Sequence, residues 1–158
     1  MATVHKFTLF ADYFQFHLLD EASKDDFSTM WTEDALKRML AVGQTALCAG
    51  TLRNVDVEAE ISVLKSEVII DPSGYDHIVE ASLSIPTGKL VVMGCTDFMP
   101  DAPRINLQAG NYQVLYAVSG VDTIKTEWEP AEDKYVHHLW PGMPREAKLI
   151  KHWKKDVS

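Results

Sequence analysis

The residues best equipped for chemistry stand in one run, Gly94-Cys95-Thr96-Asp97-Phe98-Met99-Pro100-Asp101-Ala102-Pro103-Arg104. It sets a thiol, a hydroxyl and a carboxylate side by side. A cysteine nucleophile needs a base within hydrogen-bond reach, and His77, His137 or His138 would have to supply it. Against that, cysteine packs as a small apolar group in most folds. Asp97 is placed to brace a loop by accepting backbone amides, as short acidic side chains do in turns. His137 and His138 are adjacent, and neighbours on a strand face opposite ways, so they cannot share one ion from one face. There is no H-x-x-x-H, paired-cysteine, phosphate-loop or G-x-S-x-G pattern. The expectation is therefore no catalytic residue, no metal site and no cofactor.

Among the aromatic residues, Tyr13, Phe14, Phe16, Trp31, Tyr112, Tyr116, Tyr135 and Trp140 mostly fall on predicted strands, where filling a core explains them. Trp128 differs. It sits in Thr126-Glu127-Trp128-Glu129 with no apolar stripe around it, and a tryptophan rimmed by acids is the pattern of an interface anchor. The competing expectation is a tryptophan folded back on the edge of the sheets. Trp128, Glu127 and Glu129 are thus the first candidates for binding; Asp97, Asp101 and Cys95 are the second group.

Charge points the same way. The chain carries 15 basic and 23 acidic residues, net −8, and such a surface repels phosphate backbones, so direct nucleic-acid binding is disfavoured. Acids gather in Asp20, Glu21, Asp25, Asp26, Glu33 and Asp34, and again in Asp122, Glu127, Glu129, Glu132 and Asp133. Arg145, Lys148, Lys151, Lys154 and Lys155 make the carboxyl end basic. These are solvated faces, or an acidic surface that steers a basic protein partner. No apolar run reaches the length of a membrane span, and the first residues lack a basic start and an unbroken apolar core, so the expectation is a soluble, cytoplasmic protein without a secretory signal. Cys48 and Cys95 lie on separate predicted strands with no short spacing, which suits a reducing compartment.

The elements that hold these residues are read from periodicity. Val55, Val57, Ala59, Ile61 and Val63 alternate with Asp56, Glu58, Glu60 and Ser62; Val79, Ala81, Leu83 and Ile85 alternate with Glu80, Ser82 and Ser84. Period two puts one face in a core and the other in water. Further strands are expected over Phe14–Leu19, Thr45–Leu52, Lys89–Cys95, Arg104–Leu107, Tyr112–Val118 and Tyr135–Trp140, with Arg53-Asn54 as a hairpin turn. One helix is expected from Thr32, as amino-terminal cap, to about Val42, stopped by Gly43, and a short second one over Arg145–Lys155. In Gly110-Asn111-Tyr112 a tyrosine opens a strand just past a tight turn, as in a tyrosine corner. The expected architecture is a mainly β, antiparallel sandwich of about eight strands, one domain over residues 1–158.

Two resemblances add to this. Tyr13-x-Gln15-Phe16, Trp31-Thr32-x-Asp34-Ala35, Arg53-Asn54 and Leu107-x-x-Gly110-x-Tyr112 are similar to the competence protein J family of bacteria. That resemblance implies a small, acidic, non-enzymatic protein that inhibits or modulates a DNA-entry nuclease. The stretches Asp76–Leu83, Gly94–Asp97 and Leu139–Gly142 resemble a set of uncharacterised bacterial proteins and imply no activity. The sequence reading is an inhibitor or immunity-type interaction module for a nuclease-like or other basic effector. The alternatives are a small-molecule or carbohydrate-binding sandwich using loop aromatics with Asp97 or Asp101, and an enzyme centred on Cys95.

Overall fold

The computed structural model describes residues 3–153, and Lys154 and Lys155 lie outside the described residues. Two sheets pack face to face. The first, of six strands, contains β1 (Thr3–Phe10), β5 (Asp56–Val63), β6 (His77–Ile85), β9 (Gly110–Ser119), β10 (Lys134–Pro141) and β11 (Lys148–Lys151), in the order β1-β5-β10-β9-β6-β11. The second, of five, contains β2 (Gln15–Asp20), β3 (Leu40–Val42), β4 (Ala46–Gly50), β7 (Lys89–Gly94) and β8 (Arg104–Asn106), in the order β3-β4-β2-β7-β8. The mainly β sandwich is as expected, with one departure: β10 pairs with β5 in parallel.

The period-two stripes set the register. Val57, Ala59 and Ile61 of β5 and Val79, Ala81, Leu83 and Ile85 of β6 face Phe16, Leu18, Leu47, Leu90 and Val92 of the other sheet, all at most 2% exposed. Burial of such side chains stabilises by about 1.5–3 kcal/mol each, and this layer is the main source of cohesion. The outer face of the five-stranded sheet is also covered. Phe27, Met30 and Trp31 pack on Ala35, Ala41 and Cys48, and the Phe27 ring stacks on His17 at 4.5 Å.

Several boundaries differ from the sequence expectation. β1 was not expected; its inward residues are Phe7 and Leu9, but Val4 and Phe10 are half-exposed on the other side, so its period is blurred. The expected strand over Phe14–Leu19 begins at Gln15, because Asp12–Phe14 forms a helical turn. Two short helices follow β2, α1 (Phe27–Met30) and α2 (Glu33–Arg38). Thr32 caps α2 by accepting the Ala35 amide at 3.1 Å, but Met39 at φ 59° ends it, and Leu40–Val42 pair with β4 as β3. Gly43 is therefore not the stop. The helix expected over Arg145–Lys155 is replaced, within the described residues, by β11, which completes the edge of β6 with a bulge after Leu149. Arg53-Asn54 is not a hairpin turn: β4 and β5 belong to different sheets, and the segment crosses between them.

Candidate functional site

The segment Ile124–Asp133 has no apolar stripe to dock it, so its position depends on a few polar anchors. The chief one is Arg53 at the sheet crossover. Its Nε and Nη2 donate to Asp133 Oδ2 and Oδ1 at 3.1 and 2.5 Å, and its Nη1 donates to the Glu129 carbonyl at 3.2 Å. The Tyr135 hydroxyl donates to Asp133 Oδ2 at 2.8 Å and accepts the Leu52 amide at 3.0 Å. Burial raises the Tyr135 pKa well above the usual phenol value, which keeps the hydroxyl a donor. Arg53 is 6% and Asp133 2% exposed, so the charges meet in a fork-to-fork pair out of water. Trp128, on the loop this pair pins, is 77% exposed. It does not fold back on the sheets.

Next to this loop stands the turn Asp12–Phe14, of which Phe14 was expected to open a strand. Tyr13 and Phe14 both lie in left-handed backbone, at φ 57° and 58°. Neither is Gly or Asn, and each such residue costs about 1–2 kcal/mol. Local bonds hold them there. Phe14 donates its amide to Ala11 O at 3.0 Å and to Asn54 Oδ1 at 3.3 Å, Tyr13 donates to Asp12 Oδ1 at 3.1 Å, and Thr51 N–H donates to Phe14 O at 2.9 Å. Both rings point outward, Tyr13 69% and Phe14 45% exposed, so neither is the core filler expected of it. Asn54 also donates its amide to Glu127 Oε1 at 3.3 Å, which joins the aromatic turn to the acidic loop.

Between that turn and α2 lies a groove of about 430 Å³, walled by Tyr13, Phe14, Trp31, Leu36, Met39, Leu52 and Trp153; an adjoining depression shares Phe14, Leu52 and Trp153 and reaches Thr126 and Glu127. Two of its walls are tied. The Trp31 indole donates to Gln15 Oε1 at 3.2 Å, and the Trp153 amide donates to His77 Nδ1 at 3.0 Å while His77 Nε2 meets the Arg38 carbonyl at 2.5 Å. The His77 ring must then be neutral with its proton on Nε2. Burial pushes its pKa below the usual value.

The second group of sequence candidates, Cys95, Asp97 and Asp101, does not line the groove. Asp97 Oδ2 accepts the Gly94 amide at 2.7 Å, and Thr96 donates to Asp12 Oδ2 at 3.1 Å beside the Tyr13 turn. A side chain at Gly94 would meet Phe10 O at 2.4 Å, which is why glycine stands there. Cys95 is half-buried, and burial followed by Asp12 pushes its thiol pKa up; Cys48 is pushed up to about 12 by burial, Cys95 and Asp25. Both are free thiols. Asp101 is exposed on the turn after β7.

Among the described residues no histidine hydrogen-bonds the Cys95 thiol. His77 is engaged with Arg38 and Trp153. His137 is in the core, stacked on Tyr116 at 4.5 Å and edge-on to Phe16 at 5.7 Å, and burial drops its pKa to about 3. His138 faces the opposite side of β10, its pKa also lowered by burial. Among the described residues no three His, Cys, Asp or Glu side chains are grouped to hold a metal ion, and no helix is long and apolar enough to cross a membrane.

No family model matches the chain, and no curated protein matches it in sequence. Two solved structures share its fold. The crystal structure of ComJ, inhibitor of the DNA-degrading activity of NucA from Bacillus subtilis, superposes with a TM-score of 0.69 at 16% identity, over 90% of this chain and 99% of that one. The crocagin biosynthetic gene J product superposes with a TM-score of 0.63 at 18% identity, over the same shares of the two chains. At these identities the likeness is one of fold.

Proposed function

We propose that this chain is a non-enzymatic, acidic interaction module of the cytoplasm that inhibits a nuclease-like effector by covering a basic surface on it. The observation that carries this reading is Trp128, largely exposed and flanked by Glu127 and Glu129, on a loop pinned by a buried ion pair. An exposed loop aromatic normally costs nothing to move; here the fold spends its buried Arg53–Asp133 pair on fixing one. Rigid aromatic anchors ringed by polar residues carry most of the energy of protein interfaces. The net charge of −8 speeds encounter with a basic protein and repels DNA itself. The fold shared with an inhibitor of DNA degradation supports the effector class.

The groove's size alone favours a second reading, a small-molecule or carbohydrate-binding sandwich. The deciding experiment titrates the purified chain into the DNA-degrading nucleases of its own host and follows cleavage of plasmid DNA at low and high salt. The proposal expects stoichiometric inhibition that weakens with salt and with Trp128→Ala. Undiminished cleavage at excess protein and low salt would reject it.

A further inference from the structure

We infer that the row of loops at one end of the sandwich is a single docking surface for an arginine-bearing face of the partner protein, with Phe98 and Asp101 as a second point of contact on a different loop from Trp128. The inference rests on the interaction-module reading and says where, and by what chemistry, the partner is held. Strand register places the loops. β1 ends where β5 begins, with Phe10 opposite Asp56, and β9 ends where β10 begins, with Ser119 opposite Lys134. Because β10 runs parallel to β5, Lys134 lies opposite Glu58 at that same end. In the other sheet β2 begins where β4 and β7 end, with Gln15 opposite Gly50 and Phe16 opposite Gly94. Residues 11–14, 51–55, 95–103 and 120–133 therefore emerge together.

Hydrogen bonds tie these loops into a row. The Thr96 hydroxyl donates to Asp12 Oδ2 at 3.1 Å, the Phe14 amide to Asn54 Oδ1 at 3.3 Å, and the Asn54 amide to Glu127 Oε1 at 3.3 Å, so each loop is bonded to the next. The turn at the outer end of the row is braced as well. Arg104 Nη1 donates to the Met99 and Ala102 carbonyls at 2.9 and 2.5 Å, and its Nε donates to Glu21 Oε1 at 3.2 Å. Phe98 opens that turn and is 70% exposed. A surface ordered before contact loses less entropy on binding.

The same end collects the exposed rings. Among the described residues every exposed aromatic side chain, Phe10, Tyr13, Phe14, Phe98 and Trp128, stands there. Three of them adjoin acids in the chain, as Asp12-Tyr13, Asp97-Phe98 and Glu127-Trp128-Glu129. With the buried Arg53–Asp133 pair set aside, the four loops hold Asp12, Asp97, Asp101, Asp122, Glu127, Glu129 and Glu132 against Lys125 alone. α2 beside them is balanced, Glu33 and Asp34 against Lys37 and Arg38, and the two lysines that follow Trp153 leave the sign unchanged. Loops 21–26, 43–45, 86–88, 107–109 and 142–147 at the opposite end are closer to neutral, with Glu21, Asp25, Asp26 and Glu146 against Lys24 and Arg145. Arginine suits rings and acids together, since its guanidinium stacks on an aromatic face and forks onto a carboxylate, whereas lysine brings a point charge. The acids repel a phosphate backbone, so the arginines belong to a protein.

The test titrates capped octaarginine into the full chain at low salt and follows amide and indole shifts by NMR. Asp12, Phe98, Asp101 and the Trp128 indole are expected to shift together and saturably, with octalysine at least about threefold weaker. Phe98→Ala and Asp101→Lys should each weaken octaarginine about three- to tenfold and leave distant signals in place, while Met143→Ala at the opposite end changes nothing. Asp101→Lys alters only an exposed charge, so it decides alone if Phe98→Ala unsettles its turn. Equal binding of octalysine, shifts confined to the Trp128 loop, or parental affinity in Asp101→Lys would each overturn the inference. The nuclease titration separates it from the reading it rests on. Failed inhibition with the peptide map intact would reject the inhibitor reading and leave the surface standing; inhibition weakened by Trp128→Ala but untouched by Phe98→Ala and Asp101→Lys would do the reverse.

Discussion

Arg53 and Asp133 stand 80 positions apart, yet they close a two-bond ion pair that fastens the sheet crossover to the acidic loop. The pair is buried on both sides, and the Tyr135 hydroxyl and Glu129 carbonyl take up further bonding capacity. Removing one partner strands a charge in the interior. Arg53→Ala or Asp133→Ala is expected to cost about 3–5 kcal/mol. The double replacement Arg53→Met/Asp133→Leu should recover much of that, since it leaves no orphan. Urea unfolding of the three variants checks both statements, and an Arg53→Ala midpoint equal to the parent's would show the pair to be idle.

Histidines set the acid limit of stability. Burial holds His17 at about 4 and His137 at about 3, and lowers His77 and His138. Each is a base with a depressed folded pKa. The unfolded chain therefore takes up the proton first as pH falls. Their stabilising contribution is complete above about pH 6.5 and is lost as pH drops toward the folded values, at about 1.4 kcal/mol per pH unit for each histidine fully released. Most of that window lies above the range in which carboxylates titrate. Denaturation midpoints between pH 7 and 5 should fall steadily, and His137→Leu should remove one proton from the slope. It should also raise stability at pH 5, because neither His137 ring nitrogen has a hydrogen-bond partner among the described residues. A flat profile would contradict the burial assigned to these rings.

Thiol reactivity separates the interaction module from an enzyme built on Cys95. Burial and Asp12 raise the Cys95 pKa, and Cys48 is higher still, so neither is held as thiolate near neutrality. Iodoacetamide at pH 8 should modify Cys95 more slowly than free cysteine and leave Cys48 untouched until the chain unfolds. A Cys95 faster than free cysteine would revive nucleophilic chemistry at that loop.

What could be read in the sequence follows from which interactions are local. β5 and β6 are long and alternate over Val57–Ile61 and Val79–Ile85, so those faces are legible residue by residue, whereas Ser62 and Ile78 are buried as well and break the pattern. The ends of α2 and the carboxyl-terminal segment are not. Ala35, Leu36, Met39 and Leu40 fit a helical stripe, yet pairing with β4 claims Leu40. Leu149 and Trp153 fit another, yet the free edge of β6 draws Lys148–Lys151 into the sheet. Long-range pairing overrides local propensity in both cases. At the site, Trp128 was legible because it lacks apolar company, whereas Arg53 was hidden because its partner is far along the chain. The Tyr13–Phe14 turn gave no signal at all, since left-handed backbone is usually announced by Gly or Asn.

That turn supplies a test in which stability and binding should move in opposite directions. At φ 57° a tyrosine pays the steric cost of its Cβ, about 1–2 kcal/mol, and a glycine does not, though glycine loses roughly 0.5–1 kcal/mol more in chain entropy on folding. The Tyr13 ring, 69% exposed, buries too little surface to repay the difference. Tyr13→Gly should therefore leave the unfolding free energy unchanged or raise it by up to about 1 kcal/mol, while weakening capture of the partner. Tyr13→Ala removes the ring and keeps the strain, so it should bind as poorly as Tyr13→Gly and be less stable. Denaturation curves and nuclease-inhibition titrations on the same two variants measure both quantities. If Tyr13→Gly proves markedly destabilised, the ring is packing rather than presenting, and the turn is no contact surface for a partner.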